Sequence, residues 1–432
     1  MSQRQAAYSR RRFLRAAARA GAVLAIPQII PGSALGDHRV VAPSERIVIG
    51  GFGIRGRGMH DLNCMLNEPD VQFVAICDVQ KASRLKVKEA VDKFYKNTKC
   101  EMYANPHEFL ARPDIDAVLI ATGDRWHTMA AILAAKAGKD IYSEKPCSTT
   151  IAESIALADT IKRYGVVYQA GTQRRNIGNF ILAADLCHSG RLGKLHTVHA
   201  NTLAPATSQE WLEPQEQPSE EDVDWDVWLG PCPWRPFNSR YIQGGWRGHF
   251  DFHGGGILEW GSHTVDLCQW AAQKDHTMPS LYDPNVSGPA EYGTNQVLCT
   301  YDDGVKLLMR DAGWLGLGTC SARYEGDRGW VETGDSGKMK TSPSVRQFLK
   351  NVPTAGTDAT NHIRDFLNCI KTRGIAQSNA DRVANSHIAC HAAYIAWQLG
   401  RKLTLDTKKI EFVNDAEANR MRSRAYREPW RS

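Results

Sequence analysis

The sequence predicts an α/β chain in two parts: a parallel sheet wrapped on both faces by helices, then an α+β part with a large, mostly antiparallel sheet. Three observations carry this. Short apolar runs alternate with helical segments from Arg46 to about residue 175. A G-x-G-x-x-G stands between the first run and the first helix. Beyond residue 176, segments such as "KLHTVHANTL" and "VKLLMRDAG" alternate as half-buried strands do. At 432 residues the chain is long enough for two cores, and its composition is that of a globular protein. The expected organisation is 1–36 leader, 37–175 first domain and 176–432 second domain.

In the leader, "SRRRFLR" sets paired arginines before Phe13 and Leu14, followed by the short apolar "GAVLAIPQII" and the small residues "GSALG". That is the layout of a twin-arginine export signal, a route that moves folded proteins, so the expected location is periplasmic. The apolar run is too short, and too broken by Pro27 and Pro31, to span a bilayer, so no membrane insertion of the mature chain is expected. Six arginines before residue 37 account for the whole formal charge of +6. The remainder is near neutral and carries no electrostatic footprint for nucleic acid. The eleven cysteines form no CxxC pair and sit mostly in apolar runs, where a thiol behaves as a small hydrophobe rather than as part of a disulfide framework.

In the first domain, "RIVIGG", "VQFVAICD", "DAVLIAT", "DIYSEKP" and "GVVYQAGT" read as buried strands in order. The first opens into Gly51-Phe52-Gly53-Ile54-Arg55-Gly56, in the strand-to-helix context of a dinucleotide-binding Rossmann fold. The glycines permit a tight turn and close approach of a pyrophosphate to the helix N-terminus. Asp78 ends the second strand, placed to accept ribose hydroxyls and repel a 2′-phosphate, which favours NAD over NADP. Ligands in such sheets bind beyond the strands' carboxyl ends, which nominates Thr122, His127, Glu144 and Lys145. Pro146 keeps Lys145 out of helical geometry.

In the second domain, "YDDGVKL" marks a tight hairpin at Asp303-Gly304. Residues 205–253 form a long stretch rich in Pro and Trp, suited to a sugar-binding wall or a satellite core. "GGGILEWGSHTVD" then puts Glu259, His263 and Asp266 on one side of a helix, with Ile257, Val265 and Leu267 opposite. Beside a nicotinamide, a neutral imidazole held by a neighbouring carboxylate suits a hydroxyl proton, and a lysine suits the developing alkoxide. His387, Cys390 and His391 are helically spaced, but no third ligand is near, so no metal is expected.

The motifs "GFGIRGRG", "AICDV", "AGKDIYSEKP", "AGTQRR", "DWDVWLGPCPWRPFN" and "GGGILEWGSH" together resemble the glucose–fructose oxidoreductase, inositol dehydrogenase and rhizopine-catabolism (Gfo/Idh/MocA) family over nearly the whole chain. The resemblance implies a Rossmann domain, an open-sheet domain and homo-oligomers formed through that sheet. It carries the family's substrate-contacting lysine to Lys145, its catalytic histidine to His263, and its segment beside nicotinamide and substrate to Gln173 and Arg174. The family's aspartate four residues before the histidine is Glu259 here. The expected activity is NAD-dependent oxidation of a secondary hydroxyl in a sugar, cyclitol or glycoside. Because no free NAD pool is expected outside the cytoplasm, the cofactor should be tightly held and recycled in place. Two alternatives remain: cleavage of a glycosidic bond by oxidation and elimination, and an idle NAD- or sugar-binding protein, which would need Gly53 and Asp78 but not Lys145 or His263.

Overall fold

The strand β1 (Ile47–Phe52) is a run of apolar residues and glycine buried along nearly its whole length, and it forms the centre of the first sheet. This computed structural model describes residues 41–205, 210–286, 295–311, 316–349 and 359–430. The expected export segment 1–36 lies outside the described residues. The chain divides into a unit Met1–Arg46, of which the described part holds only a 3-10 turn at Pro43–Glu45, and a unit Ile47–Ser432 that contains everything below.

In the second unit, β1 pairs with β2 (Val71–Cys77) and β4 (Ala117–Ile120); β3 (Glu101–Tyr103), β5 (Asp140–Ser143) and β6 (Tyr168–Ala170) complete the order β3-β2-β1-β4-β5-β6. All these pairs are parallel, so the order reverses beside β1, where a doubly wound sheet opens a crevice. The five strands read from sequence are present. β3 was missed because its pattern is exposed and only three residues long.

Among the described residues, the second sheet has nine strands. These are β7 (Leu195–Asn201), β8 (Leu281–Asp283), β9 (Gln296–Thr300), β10 (Lys306–Arg310), β11 (Ala322–Gly326), β12 (Gly329–Thr333), β13 (Met339–Thr341), β14 (Leu403–Asp406) and β15 (Glu411–Phe412). Their order is β13-β12-β11-β7-β10-β9-β8-β14-β15, antiparallel except for β7 with β10. The β9–β10 hairpin turns at the expected Asp303-Gly304, with Gly304 at φ 86°. Helices Gly256–Ala271 and Ala380–Leu399 share a core with this sheet through Ile257, Val265, Cys268, Ile388 and Ala392.

The boundary expected at 175 does not separate two cores. Helix Thr360–Thr372 returns to the first sheet, where Ile363, Phe366 and Leu367 pack with Ile49, Phe73 and Leu119. Arg364 and Lys371 both bind the buried Asp70, just before β2. All eleven cysteines are free. Among the described residues, no helix is long and apolar enough to cross a membrane.

Candidate active site

β1 runs into Gly53 at φ 69° and Gly56 at φ 46°, backbone that favours glycine. A Cβ on Gly53 would stand 2.3 Å from Thr122 Cγ2, so the loop can lie against the end of β4 only without one. Beside Gly56 there is open space, and no side chain caps the helix Arg57–Leu66 that follows. The N-terminus of that helix lies at a cleft of about 510 Å³ at the carboxyl ends of the parallel strands, with Gly58 N–H and Met59 N–H donating to the Arg55 and Gly56 carbonyls.

Gly53, Arg55, Gly56, Asp78, Thr122, His127, Glu144, Lys145 and Glu259 all line that cleft. Gly51 and Ile54 do not. A Cβ on Gly51 would collide with Ile54 Cδ1 at 2.4 Å, and Ile54 is buried in the core with Phe73, so both serve packing beneath the loop. Asp78 Oδ1 accepts from Gln80 N–H at 2.8 Å. Burial pushes its carboxyl up to about 6, opposed by that hydrogen bond and by the guanidinium groups of Arg55, Arg84 and Arg125. His127 donates from Nδ1 to the Pro146 carbonyl at 2.6 Å, and burial holds its imidazole down at about 4, so it is neutral.

Glu144 Oε1 accepts from Gln173 Nε2 at 2.7 Å, which puts Gln173 one contact behind the cleft. Asp61 lies beside Glu144; burial and that second carboxylate raise its carboxyl far above the usual range. Glycine at 171 leaves room for that carboxylate of Glu144, since a Cβ there would stand 2.3 Å from Glu144 Oε1 and push it aside.

The ammonium of Lys145 donates to the Glu259 carbonyl at 3.0 Å and to Glu259 Oε1 at 3.3 Å. The second carboxylate oxygen, Oε2, lies 3.3 Å from His253 Nε2, and Asp124 Oδ2 lies 3.8 Å beyond. Although burial opposes it, Lys145 and His253 hold the Glu259 carboxyl well below the ordinary range. Glu259 is thus a fixed anion that orients Lys145.

The expected partner of His263 is corrected. The imidazole does not line the cleft, and among the described residues no carboxylate holds it. Its Nε2 accepts from Arg174 Nη1 at 3.0 Å, while Arg174 is clamped bidentately on Asp335 at 3.0 and 2.9 Å. Burial, with Arg174 next, holds His263 far below its ordinary value, so it is neutral as expected. Asp266 is not brought to the cleft either. It binds Arg175 through both oxygens at 2.7 and 2.8 Å, with both side chains 1% exposed. The helix that carries these groups has no wet face: of Gly256–Ala271, only Glu259, Trp260 and Trp270 are not fully buried. Beyond Glu259, its polar side turns His263 and Asp266 to buried arginines instead of water.

The Trp-rich stretch forms the satellite core, and part of it reaches the cleft. Trp225 stacks on Trp228 at 4.5 Å in a satellite core with Phe237 and Tyr241. Trp228 and Trp246 also line the cleft, and the Arg125 guanidinium lies 3.4 Å over the Trp228 ring. His387 and His391 are packed helix residues, with His387 Nε2 accepting from Cys147 N–H at 3.1 Å and His391 on Ser148. Sequence reasoning missed Asp124 and His253. Asp124 lies inside the "IATGDRWH" motif, and His253 immediately precedes the glycine run that opens the helix.

The residues present fit NAD. A glycine turn meets an uncapped helix, open space lies beside Gly56, and a carboxylate stands at the end of β2. Two family models match the chain: "Oxidoreductase family, NAD-binding Rossmann fold" of the Gfo/Idh/MocA group over residues 46–172, and its "C-terminal alpha/beta domain" over residues 204–432. The chain is 31% identical over 139 residues to a myo-inositol 2-dehydrogenase of Thermotoga maritima, covering 32% of this chain and 39% of the relative. It is 30% identical over 172 residues to a glycosyl hydrolase family 109 protein of Saccharopolyspora erythraea, covering 36% of this chain and 37% of the relative. These matches span about two fifths of the relatives' length. The fold is shared with an aldose-aldose oxidoreductase from Caulobacter crescentus, solved with glycerol, at TM-score 0.59, 17% identity and coverage of 83% of this chain and 100% of that one. It is shared with the WlbA dehydrogenase of Chromobacterium violaceum, solved with NADH and UDP-GlcNAcA, at TM-score 0.62, 17% identity and coverage of 85% and 98%.

Proposed function

The chain belongs to the Gfo/Idh/MocA oxidoreductase family, with its NAD-binding Rossmann fold, and from that premise we propose that it oxidises a secondary hydroxyl of a sugar, cyclitol or glycoside. The observation that carries this reading is one cleft lined both by the glycine loop and by Lys145. Bound NAD supplies the hydride acceptor. Gly53, Arg55 and Gly56 hold the pyrophosphate and Asp78 the ribose. Lys145 donates to the carbinol oxygen and stabilises the negative charge that develops there. Glu259 keeps the ammonium aimed. His263, neutral but outside the cleft and with its Nε2 lone pair on Arg174, takes the hydroxyl proton only in a conformer that frees that nitrogen and opens it to the cleft.

Export by the twin-arginine route is part of the reading, and with it NAD held tightly enough for both half-reactions to occur on one protein. Association of copies through the nine-stranded sheet belongs to it too, and solution mass tests it. Quantifying NAD(H) released on denaturation tests the cofactor. Lys145→Ala and His263→Ala, assayed on an accepted substrate, test the chemistry: retained NAD with lost turnover supports the reading, and unchanged turnover removes it. A second reading, glycoside cleavage by oxidation and elimination, draws on the similarity to the family 109 protein and on the two carboxylates, Asp124 and Glu259, in the cleft.

A further inference from the structure

Asp124 lines the cleft, is only 3% exposed, and its Oδ2 makes no hydrogen bond among the described residues. A buried carboxylate oxygen without a donor costs free energy unless something else supplies one. His253 Nε2 lies at 3.8 Å, beyond hydrogen-bond range, and is turned to Glu259 Oε2 at 3.3 Å. Asp124, His253 and Glu259 bring one atom each within 4.8 Å of one another, as metal ligands do. A cation is nevertheless a poor fit. Gly255 N–H donates to His253 Nδ1 at 3.2 Å, so Nε2 carries the ring proton and offers no lone pair.

Lys145 and Asp124 both line the cleft beside Glu259 and offer it complementary groups. One is the Lys145 ammonium, a donor, 3.3 Å from Oε1. The other is the Asp124 carboxylate, an acceptor whose Oδ2 is buried and reaches the cleft as the side chain turns. We propose that Asp124 is a specificity-determining residue that accepts a hydrogen bond from a second substrate hydroxyl, on the carbon next to the one Lys145 engages. The ligand class is therefore a vicinal diol within a polyhydroxylated ring. This rests on the carbohydrate reading above and narrows it. A carboxylate built to receive a hydroxyl discriminates strongly against an analogue that lacks it, because the oxygen is then buried unpaired.

The test is a double comparison of wild type with Asp124→Ala and Asp124→Asn. The probes are pyranosides and cyclitols, each paired with its singly deoxygenated analogues, read both as kcat/KM and as quenching of intrinsic tryptophan fluorescence, since Trp246 lines the cleft. With wild type, removal of one hydroxyl adjacent to the oxidised carbon should cost roughly 10- to 100-fold in kcat/KM, the value of one hydrogen bond to a charged acceptor. Asp124→Ala should cost a similar factor on the parent sugar and nothing further on that analogue. Additive losses, with the variant equally impaired on both compounds, overturn the assignment while leaving the redox reading intact. A wild type that neither oxidises nor binds any member of the set overturns both. If Asp124→Ala fails to fold, the isosteric Asp124→Asn and the wild-type analogue series carry the same decision: no adjacent hydroxyl whose loss matters means no such contact.

Discussion

Lys145 owes its position to Glu259, which takes it through a backbone carbonyl and a carboxylate oxygen at once. An ammonium aimed in this way is a preorganised donor for developing negative charge, and removal of one such donor costs about 10²–10³-fold in kcat. Lys145→Ala should therefore lose that factor while NAD content, measured after denaturation, stays at the wild-type level. Gly53→Ala should do the reverse. Its Cβ would meet Thr122, its φ is positive, and bound NAD should fall together with about 1–3 kcal/mol of stability, read by denaturant titration. The sequence made Lys145 and the glycines legible because each sits at a fixed offset from a strand end. Asp124 and His253 were not singled out. Their meaning comes from a contact between a helix N-terminus and a loop more than a hundred residues later, which no local pattern encodes.

The helix Gly256–Ala271 shows how an element can be read correctly and its surroundings misread. Periodicity gives the helix and the side on which Glu259, His263 and Asp266 lie. It cannot tell a polar side facing water from one facing buried partners, and here Arg174 and Arg175 supply those partners from the segment after β6. Asp266→Asn should accordingly destabilise the fold by about 3–5 kcal/mol, because Arg175 would be left buried with one carboxylate fewer. The helix Ala380–Leu399 acts on the site in a different way: His387 accepts from Cys147 N–H, two residues past Lys145, and so braces that loop. Burial holds His387 at about 4, against about 6.5 in an unfolded chain. Below pH 6.5 the unfolded state binds the proton and the folded state does not, so the stability contributed by His387 falls as pH falls, by about 1.4 kcal/mol per unit. The cost of His387→Gln in denaturant titrations should therefore shrink between pH 7 and pH 5.

At the scale of the whole molecule, the strand patterns revealed two sheets of the right kinds, and both are present. What they hid is that the two share cores. Phe366 and Leu367 pack with the first sheet although they lie some 190 residues beyond it, and Ala380, Val383 and Trp430 join Ile141 and Tyr168. Unfolding by calorimetry should therefore show a single transition for residues 47–432, raised as a whole by NAD, because a ligand that binds only the folded state stabilises everything coupled to it. The account depends most on one cleft serving both cofactor and carbohydrate. The direct measurement is the absorbance of reduced nicotinamide on the purified protein, with its own bound NAD, as sugars, cyclitols and glycosides are added. It should rise for at least one of them in the wild type and stay flat in Lys145→Ala carrying the same NAD content. A protein that holds no NAD, or a variant that reduces it as readily as wild type, would contradict the account.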